Sequence, residues 1–228
     1  MNTFYTYSKR KQWTITIILL IIFGVLMIAW LQLMTRSLWY YFSIVLLVPP
    51  MQFALTPLLT LTGTYKYLSP MLLVYNPTQE KYDLHNGTAF DYFFVMRGIK
   101  KGRATQNKIL AYYLEGLLKI VEELEQSDIP ESITISGTSY FFSESTARRL
   151  GFSIDPPNRF LQFNQYINYV DLVWMYSRAK GRFRLPNLKN VKSVSIKGSG
   201  LLAQKESLQK LYAYILSRQQ TVVKAANS

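Results

Sequence analysis

The chain has 228 residues, a net charge of +13, no cysteine and a single histidine, His85. The lack of cysteine excludes disulfides, thiol nucleophiles and cysteine-held metal, and one histidine leaves zinc almost no nitrogen ligands, so neither a metal nor a cofactor is expected. Hydrophobic residues make up 49% of the chain and crowd towards its N-terminus, while the positive charge suits a polyanionic partner or a membrane surface.

Residues 1–12 form a short tail whose only charges are Lys9, Arg10 and Lys11. Trp13 to Met34 is 22 residues without a charge, enough to cross a hydrocarbon core of about 30 Å at roughly 1.5 Å per residue. It is too long for the apolar part of a signal peptide, and no small-x-small cleavage site follows, so it is read as an anchor. Thr35, Arg36 and Ser37 separate it from a second apolar run, residues 38–62. That run opens on Trp39, Tyr40 and Tyr41, an aromatic cluster suited to a water–lipid boundary. Pro49, Pro50 and Pro57 lie inside it, so it either kinks as it spans or breaks into a re-entrant pair of half-helices. From Tyr65 onward there are 22 Lys and Arg against 13 Asp and Glu. The positive-inside rule then favours a transmembrane hairpin over residues 13–62, with the N-terminus and the C-terminal domain both cytoplasmic. On that side the sequon Asn86-Gly87-Thr88 stays unmodified.

Residues 65–228 are ample for one core. Met71–Tyr75 and the aromatic stretch Ala89–Met96 read as strands. Between Gln106 and Gln126, Leu110, Leu114, Leu117, Val121 and Leu124 recur at helical spacing with glutamates between them, which predicts an amphipathic helix on a sheet. Ser132–Ser136 reads as a strand. A short helix follows up to Leu150, with Ser143 as N-cap and Gly151 as C-cap. Phe160–Tyr176 suggests one or two more strands, Asn190–Lys197 another, and Leu201–Leu216 a final amphipathic helix. Strands and helices interleave, so the fold class is a two-helix hairpin followed by an α/β or α+β domain with a mixed sheet. Gly87-Thr88-Ala89-Phe90 and Gly137-Thr138-Ser139-Tyr140 share a Gly-Thr-small-aromatic pattern, read as coincident strand-edge turns.

The charge is segregated. Residues 65–177 are nearly neutral, whereas from Arg178 to the end there are 11 basic residues and only Glu206 is acidic. Arg178, Lys180, Arg182 and Arg184 alternate, and would share one face if extended, with Lys189 and Lys192 behind them. Such a patch suits anionic lipid headgroups, nucleic acid phosphates or a phosphorylated ligand. Lys197, Gly198 and Gly200, between a strand and the last helix, form a second anion-site candidate through their backbone amides.

The order of elements from Ala89 to Met175, with Leu150-Gly151-Phe152 closing the short helix and Tyr169–Met175 as its last strand, resembles the C-terminal half of the GNAT acyltransferase fold. In that family the loop before the long helix holds the pyrophosphate of acyl-CoA. The matching residues here are Ile99-Lys100-Lys101-Gly102-Arg103-Ala104. Gly102 and Ala104 fit the pattern, with Arg103 between them, while Ile99 stands where a glutamine or arginine belongs. Ala147 occupies the usual place of the tyrosine acid. The resemblance implies a membrane-tethered transferase using acyl-CoA. His85 near Asp83 and Asp91, with Ser139 or Ser143, imitates acid–base machinery without a spacing that fixes geometry. The leading expectation is a membrane protein displaying a basic cytoplasmic domain to an anionic partner. The alternatives are the tethered acyltransferase and a two-helix effector that oligomerises through its hairpin under control of a ligand-sensing domain.

Overall fold

The computed structural model describes residues 3–78, 80–138, 144–156, 159–188 and 192–227. Two helices, α1 (Lys9–Met34) and α2 (Ile44–Leu61), form an antiparallel hairpin, joined by a 3-10 segment, Leu38–Ser43. By length and composition, α1 and the continuous stretch Trp39–Leu61 are each long and apolar enough to cross a membrane. The second run therefore differs from expectation at its start, where six residues are 3-10 rather than α-helical. α2 continues through Pro49, Pro50 and Pro57. Each proline removes a backbone donor, and Thr56 and Thr60 donate their hydroxyls to the carbonyls of Gln52 and Thr56, one turn back, at 2.6 and 2.9 Å.

Among the described residues the domain has six strands: β1 (Tyr65–Ser69), β2 (Leu72–Tyr75), β3 (Lys81–Asn86), β4 (Thr134–Thr138), β5 (Ser153–Asp155) and β6 (Ser193–Lys197). Their order is β1-β2-β3-β4-β6-β5, with β3 and β4 parallel and every other pair antiparallel. The expected mixed sheet is thus present. The parallel pair requires a crossover, supplied by α3 (Ala89–Val95) and α4 (Arg103–Glu125). α4 lays Ile109, Leu114, Leu117, Ile120, Val121 and Leu124 into the core. Its other flank receives α9 (Lys205–Asn227), held by a Lys205–Glu125 ion pair at 2.5 Å and a Gln219 amide bond to the Asn107 carbonyl at 3.0 Å.

Two stretches read as strands are helices. Ala89–Met96 contains α3, because Thr88 and Asp91 form a capping box: each side chain bonds the other's backbone N–H. Phe160–Tyr176 contains α6 (Arg159–Ile167) and α7 (Tyr169–Lys180). On α7, Asp171, Met175 and Ala179 are buried at four-residue spacing, which a strand would not align. The remaining helices are α5 (Glu144–Arg149) and α8 (Gly198–Ala203). Ser139, Tyr140, Ser143, Lys189 and Asn190 lie outside the described residues.

Candidate functional site

The hairpin and the domain meet at a polar joint. Gln52, Thr56 and Thr60 fall at four-residue steps on α2 and form one stripe of the helix. Gln52 bonds Asn168 at the start of α7, Thr56 bonds the Thr88 hydroxyl at 3.0 Å, and Thr60 bonds the Tyr5 hydroxyl at 3.1 Å. Asp91, fully buried, anchors the joint from below. Its Oδ2 accepts from the Tyr67 hydroxyl at 2.6 Å and from the Thr88 amide and hydroxyl at 2.9 and 3.1 Å. Burial, reinforced by the Asp91 charge, pushes the Tyr67 hydroxyl well above its ordinary range, so it remains a proton donor. Phe90 seals the joint, with Phe4 and Phe53 edge-on at 5.2 and 5.1 Å.

Beside this joint lies a cavity of about 400 Å³ lined by Tyr5, Lys9, Gln12, Thr60, Ser69, Glu115 and Lys119 among others. It sits at the root of the hairpin, one turn before the apolar stretch opens at Trp13. Gln12 and Ser69, 3% and 5% exposed, each hold a buried oxygen with no hydrogen-bond partner among the described residues. Burial raises the Glu115 carboxyl, against the pull of Lys108 and Lys119. Two ammonium groups, one carboxylate and several hydroxyls on one wall suit a small charged group such as a phosphate ester. Sequence reasoning missed this site because its residues are scattered from Tyr5 to Lys119 and only the fold gathers them.

The predicted basic row does not form one face. Arg178 and Lys180 are on a helix, not an extended strand, and α7 ends on Gly181 with φ 74°. Arg178 turns inward and donates to the carbonyls of Met96 and Ile99, capping the end of α3. Lys180, Arg182 and Arg184 remain exposed, interleaved with Phe183 and Leu185, also exposed. The Ser177 hydroxyl pins this turn through the Arg184 amide and carbonyl at 3.0 and 3.1 Å.

The loop before α4 is covered. The Gly102 N–H donates to the Arg178 carbonyl at 2.9 Å, and a Cβ on Gly181 would lie 3.2 Å from the Gly102 Cα. Both glycines have positive φ, 86° and 74°, and the two chains close on each other there. Arg103 and Ala104 then open α4, with Arg103 exposed. At the other candidate, Lys197 ends β6 and bonds the Thr134 hydroxyl at 3.0 Å. The Gly198 amide is taken by the Ile133 carbonyl at 2.9 Å, and the helix that Gly198 and Gly200 begin is only six residues long.

His85 and Asp83 approach to 3.7 Å on the half-exposed face of β3, and Asp83 also accepts from Ser136 at 3.2 Å. The bond to His85 holds the Asp83 carboxyl below its ordinary range. Asp91 belongs to the hairpin joint instead. The two Gly-Thr pairs sit at the C-terminal ends of the parallel strands β3 and β4, where α/β sheets often place ligands. A cavity of about 50 Å³ lies there, lined by Asn86, Gly137 and Thr138 with apolar neighbours. The Tyr113 hydroxyl donates to the side-chain Oδ1 of Asn86 at its edge.

Comparison of the chain with protein-family models, with curated proteins and with solved structures found no match.

Proposed function

We propose that the protein is a membrane-anchored binding protein that takes an anionic lipid headgroup at the root of its hairpin. The observation that carries this reading is the placing of the 400 Å³ cavity, with Lys9 and Lys119 in its wall, one turn before the apolar run of α1 begins. A hairpin inserted from Trp13 onward holds that cavity at headgroup level. The basic termini favour the cytoplasmic side for both the tail and the domain. Lys180, Arg182 and Arg184, set among Phe183 and Leu185, add a second basic surface with apolar side chains able to enter the interface. Each basic residue near an anionic leaflet contributes on the order of 1 kcal/mol.

The test uses the full chain in neutral detergent, titrated with phosphatidylglycerol or phosphatidylcholine while thermal unfolding is followed. Stabilisation by the anionic lipid, reduced at least threefold in apparent affinity in Lys9→Gln/Lys119→Gln, supports the cavity. Loss only in Lys180→Gln/Arg182→Gln/Arg184→Gln moves the site to the α7 turn, and no difference between the two lipids overturns the reading. An acyl-CoA-dependent transferase using Gly102, Arg103 and Ala104 requires α7 to withdraw from that loop first. Acetyl-CoA in the same titration tests that alternative.

A further inference from the structure

A second cavity lies higher on the hairpin. It is an open groove of about 550 Å³ between the two long helices and the domain. One wall is Leu19, Ile22, Phe23 and Leu26 of α1 with Pro49, Pro50 and Phe53 of α2; the other is Ala89, Phe93, Val170 and Trp174. Every residue named is apolar. The single exception in the lining is Asp171, 5% exposed, whose Oδ2 has no hydrogen-bond partner among the described residues.

The position of the groove decides what can fill it. Leu19 lies six residues beyond Trp13 and Leu26 thirteen, so the groove spans roughly 9 to 20 Å along α1 above that tryptophan, at about 1.5 Å per residue. With Trp13 at the headgroup boundary, this is the depth of one leaflet's acyl chains, since the whole hydrocarbon core is about 30 Å. Ile17, Ile18 and Ile21 of the same stretch are half or more exposed, so the outer side of α1 faces lipid at that level as well. Phe93 and Trp174, 52% and 41% exposed on the facing wall, put an aromatic surface of α3 and α7 at that same depth.

We infer that this groove draws in a membrane lipid, its acyl chain on the apolar wall and its head end, pulled below the headgroup plane, donating a hydroxyl or ammonium hydrogen to Asp171. The inference rests on the membrane-anchored reading above and adds a site to it. An apolar groove open to a bilayer fills with chains, because an unfilled one forgoes their dispersion contacts. A buried carboxylate without a partner needs a donor, and a phospholipid bearing an ammonium or a glycerol hydroxyl supplies one, whereas a quaternary choline does not.

The four tryptophans make the test direct. Variants keeping only Trp30 or only Trp174, the others changed to Phe, are reconstituted as full chains in bilayers of phosphatidylcholine or phosphatidylethanolamine with bromine-labelled acyl chains. Quenching of Trp30 shows that the hairpin is in the bilayer; its absence overturns the anchored reading itself. With Trp30 quenched, unquenched Trp174 overturns the groove alone. The expected result is Trp174 quenching that falls at least twofold when Val170→Phe fills the groove. Quenching unchanged by Val170→Phe means that Trp174 merely touches lipid, and refutes the site. The ethanolamine lipid should quench at least twofold more than the choline lipid at equal mole fraction. Asp171→Leu should abolish that preference, and a preference that survives it removes Asp171 from the site.

Discussion

Gly198→Ala separates two roles for the turn between β6 and α8. Gly198 has an ordinary negative φ, so alanine meets no backbone strain there. A Cβ would instead lie 2.3 Å from the Pro130 carbonyl oxygen and 2.9 Å from Leu124 Cδ2. The first of these is backbone, so β6 and the 3-10 turn Pro130–Ser132 must part to admit it. Overpacking of this kind costs about 1–3 kcal/mol. Weakening the Gly198 amide bond to Ile133 adds about 1 kcal/mol, and the better helix propensity of alanine returns at most about 1 kcal/mol. The net loss is about 2 kcal/mol, which lowers Tm by roughly 4–8 °C in a chain of this size. Gly200→Ala is the control, because its Cβ meets only the side chain of Ile196, at 3.2 Å, which can yield. Its Tm should stay at or slightly above that of the parent. Thermal unfolding of both full-length variants in detergent decides the matter. Equal Tm values refute the packing argument, and a selective loss of anion-induced stabilisation in Gly198→Ala would restore the turn as a ligand site.

Three further outcomes are expected. Tyr67→Phe removes the closest donor to the buried Asp91 carboxylate, at 2.6 Å, and should cost about 1.5–3 kcal/mol; Asp91→Asn in the same background should recover part of that loss, as no charge is then left short of a donor. Burial pushes the Asp171 carboxyl up to about 6, above its unfolded value, so the native state binds the extra proton between roughly pH 4 and 6 and stability falls as pH rises through that window. Asp171→Asn should therefore raise Tm at pH 7.5 and converge with the parent near pH 4, and parallel Tm profiles would show that Asp171 is not responsible. Arg178→Gln removes the guanidinium from the Met96 and Ile99 carbonyls; it should lower Tm without changing the response to phosphatidylglycerol, and an altered lipid response would return Arg178 to the basic surface.

The hairpin was legible from its long uncharged apolar runs and α4 from its apolar period, while the final helix was legible as helix but not in its bounds, since the expected Leu201–Leu216 divides at Gln204 into α8 and α9. α3 and α7 were not, for a common reason. Phe90, Tyr92, Phe93, Phe94, Tyr169, Val170, Val173 and Trp174 are the residue types enriched in strands, and their abundance masked the helical spacing. The signal that could have corrected α3 is Thr88-x-x-Asp91, a capping box in plain view. For α7 it is the step from Asp171 to Met175 to Ala179. β3, Lys81–Asn86, escaped notice because four of its six residues are polar and its exposed face carries His85 and Asp83. Among the site residues, charge alone placed Arg178 with Lys180, Arg182 and Arg184. Helix geometry divides them, since α7 turns Arg178 towards α3 and ends two residues later. The hairpin joint was beyond reach of local patterns: Gln52, Thr56 and Thr60 look like incidental polar residues of an apolar run until Asn168, Thr88 and Tyr5 are brought to them.

That joint also sets an order of events during synthesis. Gln52 bonds Asn168 across 116 residues of chain and Thr56 bonds Thr88 across 32. At 5–20 residues per second, Asn168 emerges on the order of 6–20 s after Gln52. Throughout that interval the amide of Gln52 lacks its native partner, and if the hairpin is already in the bilayer a bare amide in hydrocarbon is unfavourable by several kcal/mol. The part of α2 beyond Pro50 therefore gains its final seat only after α7 has been made. On the membrane-anchored reading proposed above, insertion of the hairpin is thereby coupled to folding of the domain, and a chain truncated before residue 168 should be the form that cellular quality control removes.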